Sequence, residues 1–282
     1  MPPFGVRLRE ATDQFGPLCV GIDPHPELLA AWGMPRDPDG LRAFARRCVE
    51  AFAGHVAVVK PQSAFFEEYG SAGIAVLEET LADLRGSGTL SLLDVKRGDI
   101  GSTMAGYARA YLADSAPLAA DAITVSPYLG FGSLAPALEL AATTGRGVFV
   151  LTLTSNPEGA SVQHARGAGG DSVAASVVAG VTRANAEAGA AGRLGHVGMV
   201  VGATVGAAVR DLGLDLAAAN APLLAPGFGA QGADATAIAE VFGAALPAVL
   251  PTSSREILAA GPDLEGLRAA AAGAWPKSAP VS

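Results

Sequence analysis

Residues 90–103 read LSLLDVKRGDIGST. The apolar run from Leu90 to Leu93 ends in Asp94, Val95 and Lys96, with Asp99 just beyond. Successive side chains of a strand point to opposite faces, so Asp94 and Lys96 project side by side at its end. Charges placed there and shielded from water interact far more strongly than solvated ones. Taken alone, the pair equally fits a surface ion pair of little energetic consequence. The rest of the chain decides between the two readings.

Seven further apolar runs resemble this one. They are LCVGID (18–23), HVAVVKP (55–61), AITVSP (122–127), GVFVLTLTS (147–155), HVGMVVGAT (196–204), APLLAPG (221–227) and AVLPTSS (248–254). Most lack strict alternation, as expected of parallel strands covered on both faces. Between them lie stretches with helical spacing. DPDGLRAFARRCVEAFAG (37–54) opens on an Asp suited to an N-cap, and SAGIAVLEETLADLRGSG (71–88) is stopped by glycine. Eight strands alternating with helices predict a (β/α)8 TIM barrel, an α/β fold whose usual length is close to this one. A doubly wound open sheet is the runner-up. The expected organisation is one domain over residues 1–282, with a barrel core at 15–272 and terminal extensions at 1–14 and 273–282. The Gly-rich polar segment 156–171, NPEGASVQHARGAGGD, is expected to be a long loop or lid after the fifth strand.

Composition supports a large core: half of the 282 residues are hydrophobic and only 16% are charged. The net charge of −8, with no Lys/Arg run, argues against a nucleic-acid partner. It leaves room for a phosphorylated small molecule, because one local site can be positive on an acidic protein. Residues 1–16 carry no apolar segment of a secretory signal, and no stretch reaches the ~18 apolar residues of a membrane span. A soluble cytoplasmic protein is therefore expected. Cys19 and Cys48 read as buried small hydrophobes rather than a disulfide. The four histidines, His25, His55, His164 and His196, are scattered without metal-ligand spacing.

In such a barrel the C-terminal strand ends form the active-site face. Asp23 closes the first predicted strand, Lys60 the second, Asp94 and Lys96 the third, and Ser126 the fourth. Thr154 and Ser155 follow the fifth strand, Gln231 the seventh, and Ser253, Ser254 and Arg255 the eighth. Any one of these fits a strand-end cap. Their convergence on one rim points to a site.

Residues 226–234, PGFGAQGAD, place Gly227, Gly229 and Gly232 in a G-x-G-x-x-G match. A dinucleotide fingerprint opens a βαβ unit and is followed by an acid ~20 residues on. Here the match comes late, and the corresponding region, PTSSREIL, presents Arg255. A barrel phosphate site after strands seven and eight fits better, with backbone amides near the glycines and Arg255 as a bidentate grip.

Taken together, GIDPHPELL (21–29), VVKPQSAFFEEYG (58–70), LLDVKRGDIGST (92–103), LTLTSNPEGA (151–160) and PGFGAQG (226–232) resemble the orotidine 5′-phosphate decarboxylases. The likeness is to their longer-looped, actinobacterial-type branch, and it runs from Asp23 to Arg255. The resemblance implies decarboxylation of orotidine 5′-phosphate to UMP and CO2, the last step of de novo pyrimidine synthesis, with no cofactor and no metal. It implies that Lys60, Asp94, Lys96 and Asp99 form a charged catalytic tetrad. Asp99, Ile100 and Thr103 match positions supplied by the neighbouring subunit, so a homodimer sharing its active sites is implied. Asp23 matches a ribose-contacting acid, which Lys60 also approaches. Ser155 matches a serine that bonds the pyrimidine amide, Pro226 a proline lining that pocket, and Gln231 and Arg255 the phosphate grippers. The string SSRE around Arg255 departs from the shorter branch.

The chemistry agrees with these roles. Loss of CO2 at the pyrimidine C6 leaves a carbanion with no adjacent carbonyl to take its charge, so fixed protein charge must stabilise it. A protonated Lys96 does this and then delivers the proton. Three other readings use the same residues. A metal-dependent sugar-phosphate decarboxylase on the same barrel needs a further acid near strand two, where Lys60 stands. A Schiff-base aldolase would use Lys60 or Lys96. A non-catalytic nucleotide-binding barrel has no need of clustered opposite charges.

Overall fold

The computed structural model describes residues 1–228 and 234–275. Eight strands form where the apolar runs stand: β1 (Cys19–Ile22), β2 (Val58–Pro61), β3 (Leu90–Arg97), β4 (Ala122–Val125), β5 (Gly147–Leu153), β6 (Val197–Val201), β7 (Leu223–Pro226) and β8 (Val249–Ser253). Each pairs in parallel with its sequence neighbour, and β8 returns to β1 through Cys19↔Thr252 and Val20↔Ser253. That closing pair distinguishes the barrel from the open doubly wound sheet.

Helices cover the outside. Asp37 caps Pro38–Phe52 by accepting from the amides of Asp39 and Gly40, at 3.0 and 2.9 Å. Asp234 and Asp263 do the same for Ala235–Phe242 and Leu264–Ala274. Such side chains satisfy amides that a helix start leaves unpaired. Among the described residues no helix is long and apolar enough to cross a membrane.

Period two divides each strand between two apolar layers. Val20, Val59, Leu93, Ile123 and Val148 face the helices, where they meet Phe44, Phe52, Leu77 and Leu81. Cys19, Val58, Leu90, Leu92, Ala122, Phe149, Val200, Leu224 and Leu250 gather in a separate, smaller cluster. The stretch set apart above as an N-terminal extension contains a helix, Phe4–Phe15, that belongs to this second layer. Phe4 and Leu8 are buried in it, and the Phe4 ring meets Phe149 edge-on at 5.9 Å. Gly147 must lack a side chain here, because a Cβ would lie 2.6 Å from the Phe4 ring.

The same parity positions the chemistry. Two residues beyond Val58 comes Lys60, beyond Leu92 Asp94, beyond Ala122 Thr124, beyond Leu224 Pro226 and beyond Leu250 Thr252. An apolar interior layer at one level is thus succeeded by a largely polar one toward the C-terminal mouth.

Candidate active site

A cavity of about 470 Å³ opens at that mouth. Its lining includes Asp23 from the end of β1, Lys60, Asp94, Lys96, Ser155, Pro226 and Arg255, with Leu151, Val200 and Phe228 as apolar wall. Thr154, Ser253 and Ser254 line it too, so most of the strand-end residues singled out from sequence surround one space. Three cations, Lys60, Lys96 and Arg255, face two carboxylates there, Asp23 and Asp94. The cavity wall thus carries excess positive charge on an acidic chain and suits an anionic ligand.

Asp94 is the hub. Lys96 Nζ lies 2.7 Å from its Oδ1, and Lys60 Nζ lies 3.3 Å from its Oδ2. The Thr124 hydroxyl donates to Oδ1 at 2.6 Å. The side chains of Asp94 and Lys60 are about nine-tenths buried, while Lys96 stays half-exposed toward the cavity. Burial alone would raise the Asp94 pKa, but Lys60 and Lys96 outweigh it and hold the carboxyl down at about 2. Burial pulls the Lys60 ammonium downward, yet Asp23 and Asp94 overcome it and raise its pKa above the ordinary lysine value. Both partners are therefore ionised at neutral pH. Asp94 is thus a buried carboxylate shared by a buried Lys60 and a half-exposed Lys96, not one partner of the lone surface ion pair that an isolated Asp-x-Lys allows.

The backbone at Lys96 is left-handed, with φ at 46°. Such a conformation in a residue with a Cβ costs about 1–3 kcal/mol and persists only where surroundings enforce it. The β3–β4 register shifts between Leu93 and Arg97 at this point. The Lys96 amide donates to Thr124 Oγ1 at 2.9 Å, giving the turned peptide a partner.

Other polar atoms around the cavity lack partners. Asp23 Oδ1, Ser253 Oγ and Ser254 Oγ are buried and make no hydrogen bond within the described structure. Buried polar groups are rarely left so, and three on one rim suit a hydroxyl- or phosphate-bearing ligand. Ser254 packs so tightly on β1 that a Cβ at Gly21 would come within 2.7 Å of it.

The segment after β5 is more ordered than a plain loop. It contains a 3-10 turn, Pro157–Gly159, and a short helix, Ala160–Gln163. Gln163 ties this helix to the strand end: its Oε1 accepts from the Thr154 amide at 2.9 Å, and its Nε2 donates to Thr154 Oγ1 at 2.7 Å. Ser155 and Asn156 are thereby held at the cavity wall.

Asp99, Ile100 and Thr103 do not line the cavity of their own chain. Asp99 Oδ1 accepts from the Ile100 amide at 2.7 Å, and Ile100 is 61% exposed. Gln231, Gly229 and Gly232 lie outside the described residues. Among the described residues no three His, Cys, Asp or Glu side chains cluster as a metal-binding group. Both cysteines are buried and unpaired, and burial pushes the Cys19 thiol up to about 12.

Thr124, Thr252, Phe228 and Gln163 are the additions that the structure makes to the sequence reading. Thr124 and Thr252 were within reach of period two, one step beyond Ala122 and Leu250. Gln163 carried no signal, since it sits in a polar segment without periodicity.

The profile of the orotidine 5′-phosphate decarboxylase / HUMPS family matches residues 16–270. An orotidine 5′-phosphate decarboxylase of Salinispora arenicola is 62% identical over 271 residues, covering 96% of this chain and 95% of that protein. The Streptomyces coelicolor enzyme of the same name is 56% identical over 272 residues, covering 96% and 95%. A crystal structure from Streptomyces avermitilis, provisionally given the same name, superposes with a TM-score of 0.92 at 55% identity, covering 97% of this chain and 94% of that one. The structure of Leishmania donovani OMP decarboxylase superposes with a TM-score of 0.71 at 32% identity, covering 95% and 94%.

Proposed function

Since this chain belongs to the orotidine 5′-phosphate decarboxylase / HUMPS family, we propose that it converts orotidine 5′-phosphate to UMP and CO2, the last step of de novo pyrimidine synthesis. The observation that carries the reading is the buried Asp94, gripped on both oxygens by Lys60 and Lys96 at the cavity wall.

The arrangement supports a mechanism of fixed charge. The C6–carboxylate bond breaks, CO2 leaves, and the electron pair stays on C6. The Lys96 ammonium offsets that charge as it develops and then transfers its proton to C6. Solvent reprotonates Lys96. Asp94, ionised because two ammoniums face it, keeps Lys96 in place and faces the departing carboxylate. Fixed charges already in position need no reorganisation during the reaction. Asp23 and Lys60 are suited to ribose hydroxyls, Ser155 to the pyrimidine amide and Pro226 to the ring. Arg255, with Gln231, is suited to the phosphate. Phosphate binding far from C6 supplies energy for orientation at the reacting carbon.

A homodimer completes this reading. Ile100, Tyr128 and Leu129 are large apolar side chains left 61%, 79% and 53% exposed. They follow β3 and β4, neighbouring strands whose ends are joined by the Ser126 amide donating to the Arg97 carbonyl at 2.7 Å. Large apolar side chains left exposed after two adjacent strands suit a second copy. Asp99, Ile100 and Thr103 would then serve the neighbour's cavity, with Asp99 completing the tetrad beside Lys96. The enzyme would work in the cytoplasm and without a cofactor.

The test is turnover. Purified protein is mixed with orotidine 5′-phosphate, with and without chelator, and the ultraviolet change of the pyrimidine is followed. Equal amounts of UMP and CO2 in both conditions are expected. A folded protein that leaves the substrate intact overturns the reading, and loss of activity in chelator overturns its metal-free form.

A further inference from the structure

Thr124 touches both ends of the Asp94–Lys96 pair. Its Oγ1 accepts from the Lys96 amide at 2.9 Å and donates to Asp94 Oδ1 at 2.6 Å. The direction of these bonds is forced. An amide N–H can only donate, so the hydroxyl accepts there, and its single proton is left for the carboxylate. Asp94 Oδ1 is also the oxygen that holds the Lys96 ammonium at 2.7 Å. One buried hydroxyl, 1% exposed, therefore braces the left-handed peptide of Lys96 and orients the carboxylate that its side chain grips.

We infer that Thr124 is a positioning residue for the decarboxylation, setting the place of the Lys96 ammonium through the peptide on one side and Asp94 on the other. This rests on the decarboxylase reading above and adds a residue to it. Thr124 does not line the cavity, so it acts through its two partners rather than on substrate. Its place is set by β4, where it pairs in register with Phe149 of β5. Without the hydroxyl, the Lys96 amide loses its partner and the left-handed turn loses the contact that holds it. The ammonium then drifts from the reacting carbon, and displacements of about 1 Å in such geometry lower rates on the order of 100-fold.

The experiment compares wild type with Thr124→Val, Thr124→Ala and Thr124→Ser. Valine keeps the volume, alanine covers the case in which valine fails to fold, and serine restores the hydroxyl. Expected are a fall in kcat on the order of 100-fold in the hydroxyl-free variants, a KM and a UMP affinity within about 3-fold of wild type, and serine within about 10-fold of wild-type kcat. A fall confined to kcat, together with rescue by serine, separates positioning from general loosening. Wild-type kcat in a folded hydroxyl-free variant overturns the inference, as does a serine variant as slow as alanine, or a KM that rises as far as kcat falls. A wild type without turnover overturns the decarboxylase reading instead, so the two failures are distinguishable.

Discussion

The ammonium of Lys96 lies 2.7 Å from Oδ1 of Asp94, two residues earlier on the same strand, and the backbone at Lys96 is left-handed. Two neighbours in sequence thus form a closed charge pair whose nitrogen still reaches the cavity. Lys60 holds the other carboxylate oxygen from the adjacent strand. This directs the first prediction to the proton donor.

Lys96→Ala is expected to lower kcat by at least about 1,000-fold, because it removes both the charge that offsets the carbanion and the acid that quenches it. UMP should still bind, since the other residues suited to phosphate and ribose are untouched. The ultraviolet turnover assay and UMP titration check this together; near-normal turnover would refute the assignment.

Stability should fall in acid through Asp94. Its carboxyl is depressed from 3.8 to about 2 in the fold. A depressed acid contributes stability that is present above its unfolded value and lost as pH falls through its folded one. The window is therefore pH 4 to 2, and the contribution is on the order of 2 kcal/mol. Urea unfolding of wild type and Asp94→Asn across that range should show their difference shrinking as pH drops.

Lys96→Ala and Asp99→Asn proteins, each inactive, should recover activity when mixed and allowed to exchange subunits. With random reassortment about a quarter of the sites carry both intact residues. Heterodimers confirmed by mass spectrometry yet devoid of turnover would refute the shared site.

Phe4→Ala should destabilise the fold by about 3–5 kcal/mol, as for other buried aromatic truncations. Phe4 is 1% exposed and packs on Phe149 in the interior layer. Denaturant unfolding measures it, and a change below 1 kcal/mol would show that the N-terminal helix is dispensable.

Neither cysteine should react with a thiol reagent in the native state at neutral pH. Both are fully buried, and burial raises both thiols, Cys19 to about 12. The thiolate is the reactive form. Two thiols should appear on denaturation, and rapid native labelling would contradict the packing of Cys19 in the interior layer.

Much of the barrel was legible because strand and helix periods are local. The run at 90–96 becomes β3, the Asp at 37 becomes a helix cap, and the short polar steps after each run become the cavity rim. The segment at 156–171 was less legible, since its order comes from irregular turns and side-chain bonds, such as those of Gln163 with Thr154 and Arg166 with Gly170, that no periodicity announces. The helix at Phe4–Phe15 was legible only as a segment before the first strand. Its apolar face finds its place by packing on strands up to Leu250, far away in sequence.

By itself the sequence determined that eight buried strands alternate with helices, and which charged residues stand at their ends. Alternation and apolar runs act over a few residues and need no partner to be read. Only the tertiary structure decided that Asp94 is shared by Lys60, 34 residues before it, and by Thr124, 30 residues after it. It alone decided that Lys96 turns through a left-handed backbone. Those outcomes depend on contacts between strands. Barrel closure removes Asp94 and Lys60 from water and makes their pairing obligatory.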